Sequence, residues 1–295
     1  MTKYKVLPLT TRYWRPGQDY VQQIIRRIDG KIADNDIVVL SEKAISTARN
    51  NIIDEAHAVP GSTARLVAAF WMRKVWGYLL GPFCHFRMRL ISRIRQYPLE
   101  AGSRHKQVAL EQAGLLQTLM FGSEGAIDGS NLPYSYVSLP LKKPDEIAEM
   151  IRKRIQLLLR KRVAVMIVDT DKTYSFKSFH FTPRPSPMKG IHTCGGFIAY
   201  AVGQFLKLRK RATPLALAGS DLNVEESLTI AQIANHSRGF GAGRTVWEMA
   251  ERFNVALTDV SWEMLDRVKH KPIIIVRSNG EDGNGRQSTS SERLF

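Results

Sequence analysis

Apolar residues change their spacing along the chain, and the first forty residues predict a β-α-β unit. The short apolar run at residues 6–9 predicts an edge strand that two threonines end. Apolar residues at helical spacing predict a helix over residues 20–28, which Asp29-Gly30 ends. The continuous apolar run within residues 36–41 is typical of a strand that is buried on both faces.

Residues 61–121 have a helical pattern throughout. We expect breaks at Gly81-Pro82, at Pro98 and at Gly102-Ser103, where helix-breaking residues occur. The segment contains a set of aromatic side chains that we interpret as core or as a dimer interface, with an interfacial membrane helix as the alternative: Phe70, Trp71, Trp76, Tyr78, Phe83 and Phe86.

Helix and strand patterns follow one another irregularly in the second half of the chain. A helix is predicted from Pro144, and a buried strand over residues 163–168. Two further strands are predicted at 215–217 and 273–276. The proline-rich stretch 181–188 predicts a loop, because proline fixes φ and cannot donate a backbone hydrogen bond.

This irregular order predicts an α+β fold rather than a doubly wound sheet. We expect a mixed sheet with a large helical insertion, in one domain of residues 1–278 in which residues 61–121 form the helical region. Residues 279–295 are predicted to be a disordered tail, since the chain has no apolar residue between Ser278 and Arg293.

The composition is that of a globular protein, because 44% of the 295 residues are apolar and 24% are charged. Two cysteines are too few for a disulfide framework or a structural zinc site, which favours a reducing compartment. The first residues lack a secretory pattern, and no apolar run approaches the roughly 20 residues of a membrane span. We therefore expect a cytoplasmic protein and disfavour membrane contact.

The formal net charge of +16 comes from three segments. Residues 65–106 contain nine basic residues and one acid, residues 152–162 contain six basic residues, and residues 207–211 contain four. The rest of the chain has a net charge of −2. Such a field attracts an acidic small molecule, RNA or an anionic membrane. Basic side chains that merely cover helix flanks explain any single run equally well.

Two polar segments contain candidate ligands for a metal ion. In the glycine- and serine-rich segment 122–133, Asp128 and Asn131 could face one ligand, although an Asx turn explains the pair equally well. Asp169 and Thr170 directly follow the predicted strand 163–168, where α/β proteins bind ligands, and a capped turn is the alternative. Carboxylate oxygens suit Mg²⁺ or Mn²⁺, so Asp128 and Asp169 could together hold a metal ion that bridges phosphates.

A third segment contains Gly239, Gly241 and Gly243, flanked by Arg238 and Arg244 and followed by a helical pattern. Glycines ahead of a helix N-terminus can cradle a phosphate. The segment is not a Walker A loop, and a simple connection between two helices explains it equally well. No arrangement of nucleophile and base stands out along the chain, so the sequence assigns no catalytic residue.

In order and spacing, these motifs resemble the γ-glutamyl ligases that attach glutamate to the deazaflavin coenzyme F-420. The resemblance rests on Leu7-Pro8-Leu9, the strand and turn at 36–46, Ala126-Ile127-Asp128-Gly129-Ser130-Asn131, Ser138-Leu139-Pro140, the segment 165–170 and the closing strand 272–277. The blocks around Ile45, Asp128 and Asp169 are the most specific of these.

The resemblance implies a homodimeric ligase that uses GTP and a divalent metal ion, Mg²⁺ or Mn²⁺. It implies that Asp128, Asp169 and Thr170 bind metal. It also implies a set of nucleotide contacts: Leu7, Pro8, Leu9, Glu42, Lys43, Asn131, Gly239, Gly241, Gly243 and Arg244. GTP would phosphorylate a carboxylate of an anionic small-molecule acceptor, and glutamate or a similar amine would then attack the acyl phosphate.

Several residues depart from the family pattern. The lysine that follows Ile-Ser in the family is Thr47 here, and the Gly-Arg after its Asp-Thr is Asp171-Lys172. A glycine-rich segment is replaced by residues 180–188, and a late Ala-Asp-Glu has Ala234-Asn235-His236 as its counterpart. We therefore expect one metal site and the nucleotide site to be retained, whereas a second metal site and the coenzyme pocket are poorly matched.

Two functions follow from these observations. The first is an amide ligase that depends on a nucleotide and a metal and adds glutamate or a similar amine to an acidic acceptor. The alternative is a non-catalytic protein on the same fold that binds RNA through the basic helices, for which a steep salt dependence of binding is required.

Overall fold

The computed structural model describes residues 4–122 and 124–278, so the tail predicted at 279–295 lies outside the described residues. The strands are β1 (Tyr4–Thr11), β2 (Ile37–Ser41), β3 (Ile52–Asp54), β4 (Tyr136–Ser138), β5 (Ala164–Phe176), β6 (Phe179–Thr182), β7 (His192–Thr193), β8 (Arg209–Ala218) and β9 (His270–Ser278). The helices are α1 (Tyr20–Ile28), α2 (Glu42–Ala48), α3 (Ser62–Leu66), α4 (Gly81–Phe83), α5 (Met88–Arg95), α6 (Leu99–Ala113), α7 (Leu115–Thr118), α8 (Pro144–Leu159), α9 (Phe197–Phe205), α10 (Val224–Arg238), α11 (Val246–Phe253) and α12 (Trp262–Asp266). A 3₁₀ turn at Glu55–His57 and a π-helical stretch at Val67–Leu80 complete the order.

A mixed sheet lies at the centre of the fold, in the order β1-β9-β2-β5-β6-β7, and β8 also pairs with β5. Strands β2 and β5 are parallel, with Ser41 opposite Val168, whereas β9 pairs antiparallel with both β1 and β2. Strand β2 lies between two neighbours and is buried along its whole length, which accounts for its continuous apolar run. The predicted α+β fold with a mixed sheet is confirmed.

Helices cover both faces of this sheet. Successive residues of a strand face opposite sides, so Val38 and Leu40 pack into one core with residues of α1 and α8, including Ile24 and Ile151. Val39 packs on the other side with residues of α10. Within the described residues, no helix combines the length and the apolar character needed to cross a membrane.

The helical region predicted at 61–121 consists of α3, the π-helical stretch and α4 to α7, with a core of its own around Trp76. One predicted break is slightly displaced and one is wrong. The helix ends at Phe83, just after the break expected at Gly81-Pro82, and α5 begins at Met88. Helix α6 runs through Gly102, where a Cβ would lie 2.2 Å from Cε1 of Tyr97, so this glycine permits close packing instead of ending the helix.

Strand β5 is longer than predicted. Beyond the end of β2 it continues to pair with β8 and β6, and its register with β8 shifts between Asp169 and Lys172. Asp169 therefore lies in an irregular part of a long strand, and not directly after a strand end as the sequence predicted. The loop predicted at 181–188 also begins late, because β6 extends to Thr182.

Candidate functional site

A cavity of about 550 Å³ lies between the central sheet and the helical region. Most of the predicted site residues line it: Lys43, Asp128, Asn131, Asp169, Thr170, Gly239, Gly241, Gly243 and Arg244. Side chains far apart in sequence thus meet at one place. Tyr97 and Phe121 of the helical region form part of the opposite wall.

The remaining predicted nucleotide contacts lie elsewhere. Leu7, Pro8 and Leu9 belong to the edge strand β1 and pair with β9, and none of them lines the cavity. Leu9 is buried in the core, whereas Leu7 is exposed. Glu42 is the first residue of α2, and its side chain is buried.

Lys43 and Asp128 form an ion pair in the cavity wall. Lys43 Nζ donates to Asp128 Oδ2 and also to the carbonyl oxygen and the hydroxyl of Ser130, each at 2.8 Å. Asp128 Oδ1 accepts a hydrogen bond from Ser130 N at 2.7 Å, which is the expected Asx turn. The carboxylate therefore closes its own turn and faces a lysine in the cavity at the same time.

Asn131 joins two loops. Its Oδ1 accepts hydrogen bonds from the Tyr13 hydroxyl at 2.9 Å and from Ala242 N at 2.6 Å, and its Nδ2 donates to Gly243 O at 2.9 Å. The loop at 239–243 lies between α10 and α11, a position that fits both a simple connection and a phosphate-binding loop. Gly241 has a φ of +59°, and a Cβ there would lie 2.3 Å from Asn131 Oδ1, so the chain requires glycine at this position.

Glu42, Asp169, Arg184 and Arg238 form a group that we call the arginine cluster. Because Ser41 and Val168 are opposite each other on parallel strands, the next residues, Glu42 and Asp169, emerge side by side. Arg184 Nη2 donates to Glu42 Oε1 at 2.9 Å, and Arg184 Nη1 lies 3.4 Å from Asp169 Oδ2. Arg238 is the last residue of α10 and lines the cavity.

Burial and mutual charge shift the pKa values of this cluster. Burial raises the pKa of Glu42 to about 7, although the charge of Arg184 opposes the shift. Burial lowers the pKa of Arg238 to about 10, with Asp169 acting in the opposite direction. Burial also disfavours the charged form of Arg184, but the charges of Glu42 and Asp169 outweigh it and raise the pKa of that guanidinium.

Several buried atoms of the arginine cluster have no hydrogen-bond partner in the described part of the chain: Asp169 Oδ2, Arg184 Nε and Nη1, and Arg238 Nε and Nη2. Buried polar atoms are nearly always paired in folded proteins, because an unpaired one costs about 1–3 kcal/mol. The cluster therefore has bonding capacity that the protein itself does not use.

The donor set fits a metal ion that arrives together with phosphates. Among the residues that the structure describes, no three His, Cys, Asp or Glu side chains are placed to hold a metal ion by themselves. Mg²⁺ in nucleotide sites, however, takes one or two carboxylates and completes its shell with phosphate oxygens and water. Asp128, Asp169 and Thr170 line one cavity and supply that set, and the buried Asp169 Oδ2 accepts no hydrogen bond from the described residues, although Arg184 Nη1 lies 3.4 Å from it.

A second charged group, which we call the α6 cluster, also borders the cavity and consists of Glu55, His105, Lys106 and Glu124. His105 Nδ1 lies 2.6 Å from Glu55 Oε1, and its Nε2 lies 3.0 Å from Glu124 Oε2. Lys106 Nζ donates to Glu124 Oε1 and to two backbone carbonyl oxygens, each at 2.8 Å. Burial opposes protonation of His105, but both carboxylates favour it and raise its pKa to about 10.

Sequence reasoning missed the α6 cluster and Arg184. Arg184 is the single charge between two prolines in a stretch that was predicted to be a loop, whereas Arg238 was identified as one of the two arginines that flank the glycines at 239–243. Many residues of the basic runs turn out to pair with carboxylates of the chain. Arg89 and Arg93 contact Glu251, Arg209 and Arg211 contact Glu225, and Arg152 contacts Glu149.

Comparison with known proteins identifies a family for this chain. A family model described as F420-0:Gamma-glutamyl ligase matches residues 8–235. An uncharacterized protein of Methanocaldococcus jannaschii is 32% identical over 289 residues, which cover 94% of this chain and 97% of that protein.

Two more distant relatives have the name coenzyme F420:L-glutamate ligase. The one from Methanosarcina acetivorans is 24% identical and the one from Archaeoglobus fulgidus is 29% identical, each over 160 residues. These alignments cover 53% of this chain and 54% or 55% of the relatives, so about half of each protein is compared.

Proposed function

The chain belongs to the F420-0:gamma-glutamyl ligase family, a family of carbon–nitrogen ligases, and from this premise we propose that it is an amide ligase dependent on GTP and a divalent metal. The acceptor is an anionic small molecule with a carboxylate, and the donor is glutamate or a similar amine. The observation that carries the proposal is the shared cavity of Lys43, Asp128, Asp169, Thr170 and the loop 239–243.

In this proposal the phosphates of GTP lie beside the loop 239–243, whose glycines let them approach the backbone. Asp128, Asp169 and Thr170 hold Mg²⁺ or Mn²⁺, which neutralises phosphate charge when bound. Lys43 keeps Asp128 in place through the turn at Ser130, and Arg238 contributes a fixed positive charge to the same cavity.

The proposed reaction has two steps. The terminal phosphoryl group of GTP moves to a carboxylate oxygen of the acceptor, and GDP leaves. The amine nitrogen then forms a bond to the acyl carbon, phosphate leaves, and the nitrogen releases a proton to solvent. The positive groups of the cavity stabilise the charge on the transferred phosphoryl group.

The proposal includes a homodimer, as the family resemblance implies, but not RNA binding. Several basic side chains that suggested a nucleic-acid surface are bound to carboxylates within the chain, including Arg93 to Glu251 and Arg211 to Glu225. Part of the charge of the basic runs is therefore already paired within the chain.

Nucleotide-dependent stabilisation of the full chain tests the proposed function. At a GTP concentration 100 times the dissociation constant, with Mn²⁺ present, we expect the wild type to gain about 2.7 kcal/mol in free energy of unfolding. Asp128→Asn and Asp169→Asn should lose most of this gain, because each removes a negative metal ligand. Asp221→Asn changes an exposed aspartate outside the cavity and should keep it.

The outcome against the proposal is a wild-type unfolding midpoint that GTP, GDP and ATP all leave unchanged in the presence of Mn²⁺ or Mg²⁺. If GTP stabilises the wild type, untargeted metabolite profiling of a deletion strain identifies the acceptor, since loss of a ligase leaves its unextended acceptor behind.

A further inference from the structure

Arg184 lies between two buried carboxylates. Its guanidinium contacts Glu42 Oε1 at 2.9 Å through Nη2 and Asp169 Oδ2 at 3.4 Å through Nη1. The exposed fractions of these side chains are 1% for Arg184, 5% for Glu42 and 11% for Asp169. The guanidinium is therefore a cation enclosed by the protein and not a surface charge.

The backbone around Arg184 holds this position firmly. Pro183 and Pro185 flank the residue and fix their own φ angles. Thr193 Oγ1 donates to Arg184 O at 3.1 Å, and Arg184 N donates to Thr182 Oγ1 at 3.3 Å. The side chain is thus delivered by a stiff segment bonded to both neighbouring strands.

Without the guanidinium, two carboxylates would face the same buried space. Charged carboxylates in such a position repel each other and lose hydration, so either one becomes protonated or a cation enters. Two carboxylates suit a hard divalent cation that completes its shell with water or phosphate oxygens. The space that Arg184 fills is therefore a cation position.

We propose that Arg184 is a built-in cation of the site, which takes the position between Glu42 and Asp169 that a divalent metal ion would otherwise occupy. The chain then binds one exchangeable metal ion, at Asp128, Asp169 and Thr170, and supplies the neighbouring positive charge itself. The single-metal part of this statement rests on the proposed function, whereas the cation position between Glu42 and Asp169 rests on the geometry of Arg184 alone.

Counting bound Mn²⁺ on the full chain tests this inference, by equilibrium dialysis in which both compartments contain the same GTP and the excess Mn²⁺ on the protein side is measured. We expect one Mn²⁺ per chain for the wild type and two for Arg184→Met, because methionine opens the cation position. Arg184→Lys keeps the positive charge and should bind one. The double variant Arg184→Met with Glu42→Gln removes one carboxylate of the position and should return to one.

Unfolding measurements keep the test decisive if Arg184→Met is unstable. Addition of Mn²⁺ should raise the melting temperature of Arg184→Met more than that of the wild type. The double variant should lose this additional rise. One Mn²⁺ on both the wild type and Arg184→Met, without extra stabilisation, overturns the built-in cation and leaves the proposed ligase intact. No Mn²⁺ on the wild type and one on Arg184→Met overturns the proposed metal site and supports the built-in cation.

Discussion

The two charged clusters that border the cavity differ in how completely their polar atoms are bonded. In the α6 cluster, Lys106 Nζ has three acceptors and both ring nitrogens of His105 face carboxylates. In the arginine cluster, Asp169 and both arginines retain buried atoms without a hydrogen-bond partner among the described residues. Both are buried and both mix acids with bases, so charge content alone does not distinguish them.

The difference separates a structural role from a binding role. A fully bonded buried network is rigid and has no capacity for a ligand, whereas a partly bonded one is costly until something completes it. We interpret the α6 cluster as the support that fixes the wall of the cavity, and the arginine cluster as the part that a bound ion or phosphate completes. Substitutions in the two clusters should therefore affect different measurements.

The largest expected effect is on stability, from Lys106→Met in the α6 cluster. Lys106 is fully buried, so methionine leaves Glu124 as a buried charge with a lost partner, and we expect a loss of about 3–5 kcal/mol in free energy of unfolding. Urea unfolding measures it, with the exposed Lys74→Met of the same region as the control, which should change stability by less than about 0.5 kcal/mol.

The folded fraction of Lys106→Met should bind GTP with wild-type affinity. A loss of stability below about 1 kcal/mol would show that the α6 cluster is not the support that its bonding indicates.

A smaller and pH-dependent effect is expected for His105→Gln. The folded pKa of about 10 exceeds the ordinary value of 6.5, so the stabilisation from protonated His105 is complete below pH 6.5 and is lost as the pH rises towards 10. We expect the wild type to be about 2–3 kcal/mol more stable than the variant at pH 6, and the difference to shrink steadily by pH 10. Urea unfolding at pH 6, 8 and 10 measures it.

The control for this pH series is His57→Gln, because the side chain of His57 is 86% exposed. It should show no comparable trend. A difference between wild type and His105→Gln that stays constant from pH 6 to pH 10 contradicts an imidazolium held between two carboxylates.

The smallest expected change in stability comes from Gly241→Ala, in the loop that follows Arg238 of the arginine cluster. The positive φ costs about 1 kcal/mol for alanine. The new Cβ would also lie 2.3 Å from Asn131 Oδ1, so the Asn131 side chain has to move away. We expect GTP affinity to fall about tenfold, equal to about 1.4 kcal/mol. Gly239→Ala is the matched control, because Gly239 has a φ of +73° with no atom within 4 Å of the added Cβ.

Isothermal titration with GTP and Mn²⁺ measures both glycine variants. Equal affinity in the two would mean that the contact between Asn131 and the loop 239–243 does not shape the nucleotide site.

The sequence predicts the parts of the fold that depend on local patterns. The buried runs of β2 and β5 and the helix from Pro144 were predictable because burial on both faces and helical spacing leave a signature in neighbouring residues. The break expected at Gly102 failed because the packing of Tyr97 against this glycine is a tertiary contact. The length of β5 was missed for the same reason, since β8 extends it from more than thirty residues away.

The candidate site shows the same difference between residues that local patterns mark and residues that only tertiary contacts bring in. Asp128, Asn131 and Asp169 were candidates because they lie in short polar segments, one of them directly after a predicted strand, and the structure brings them to one cavity. Arg184 contacts Glu42 from 142 residues away, and no pattern within the proline-rich stretch marks it as a partner of that residue. Residues that complete a site from a distant loop are visible only once the strands are paired.

Because Ser41 pairs with Val168, the register of β2 on β5 determines both the packing of the sheet and the position of Glu42 beside Asp169. A one-residue insertion or deletion within β2 or β5 would turn core side chains outward, and it would also separate Glu42 from Asp169. The paired residues of β2 and β5 up to Ser41 and Val168 are therefore constrained twice, once by the core and once by the position of Glu42 beside Asp169. Variation in acceptor should accordingly be found in the helical region and the loops, at constant strand length.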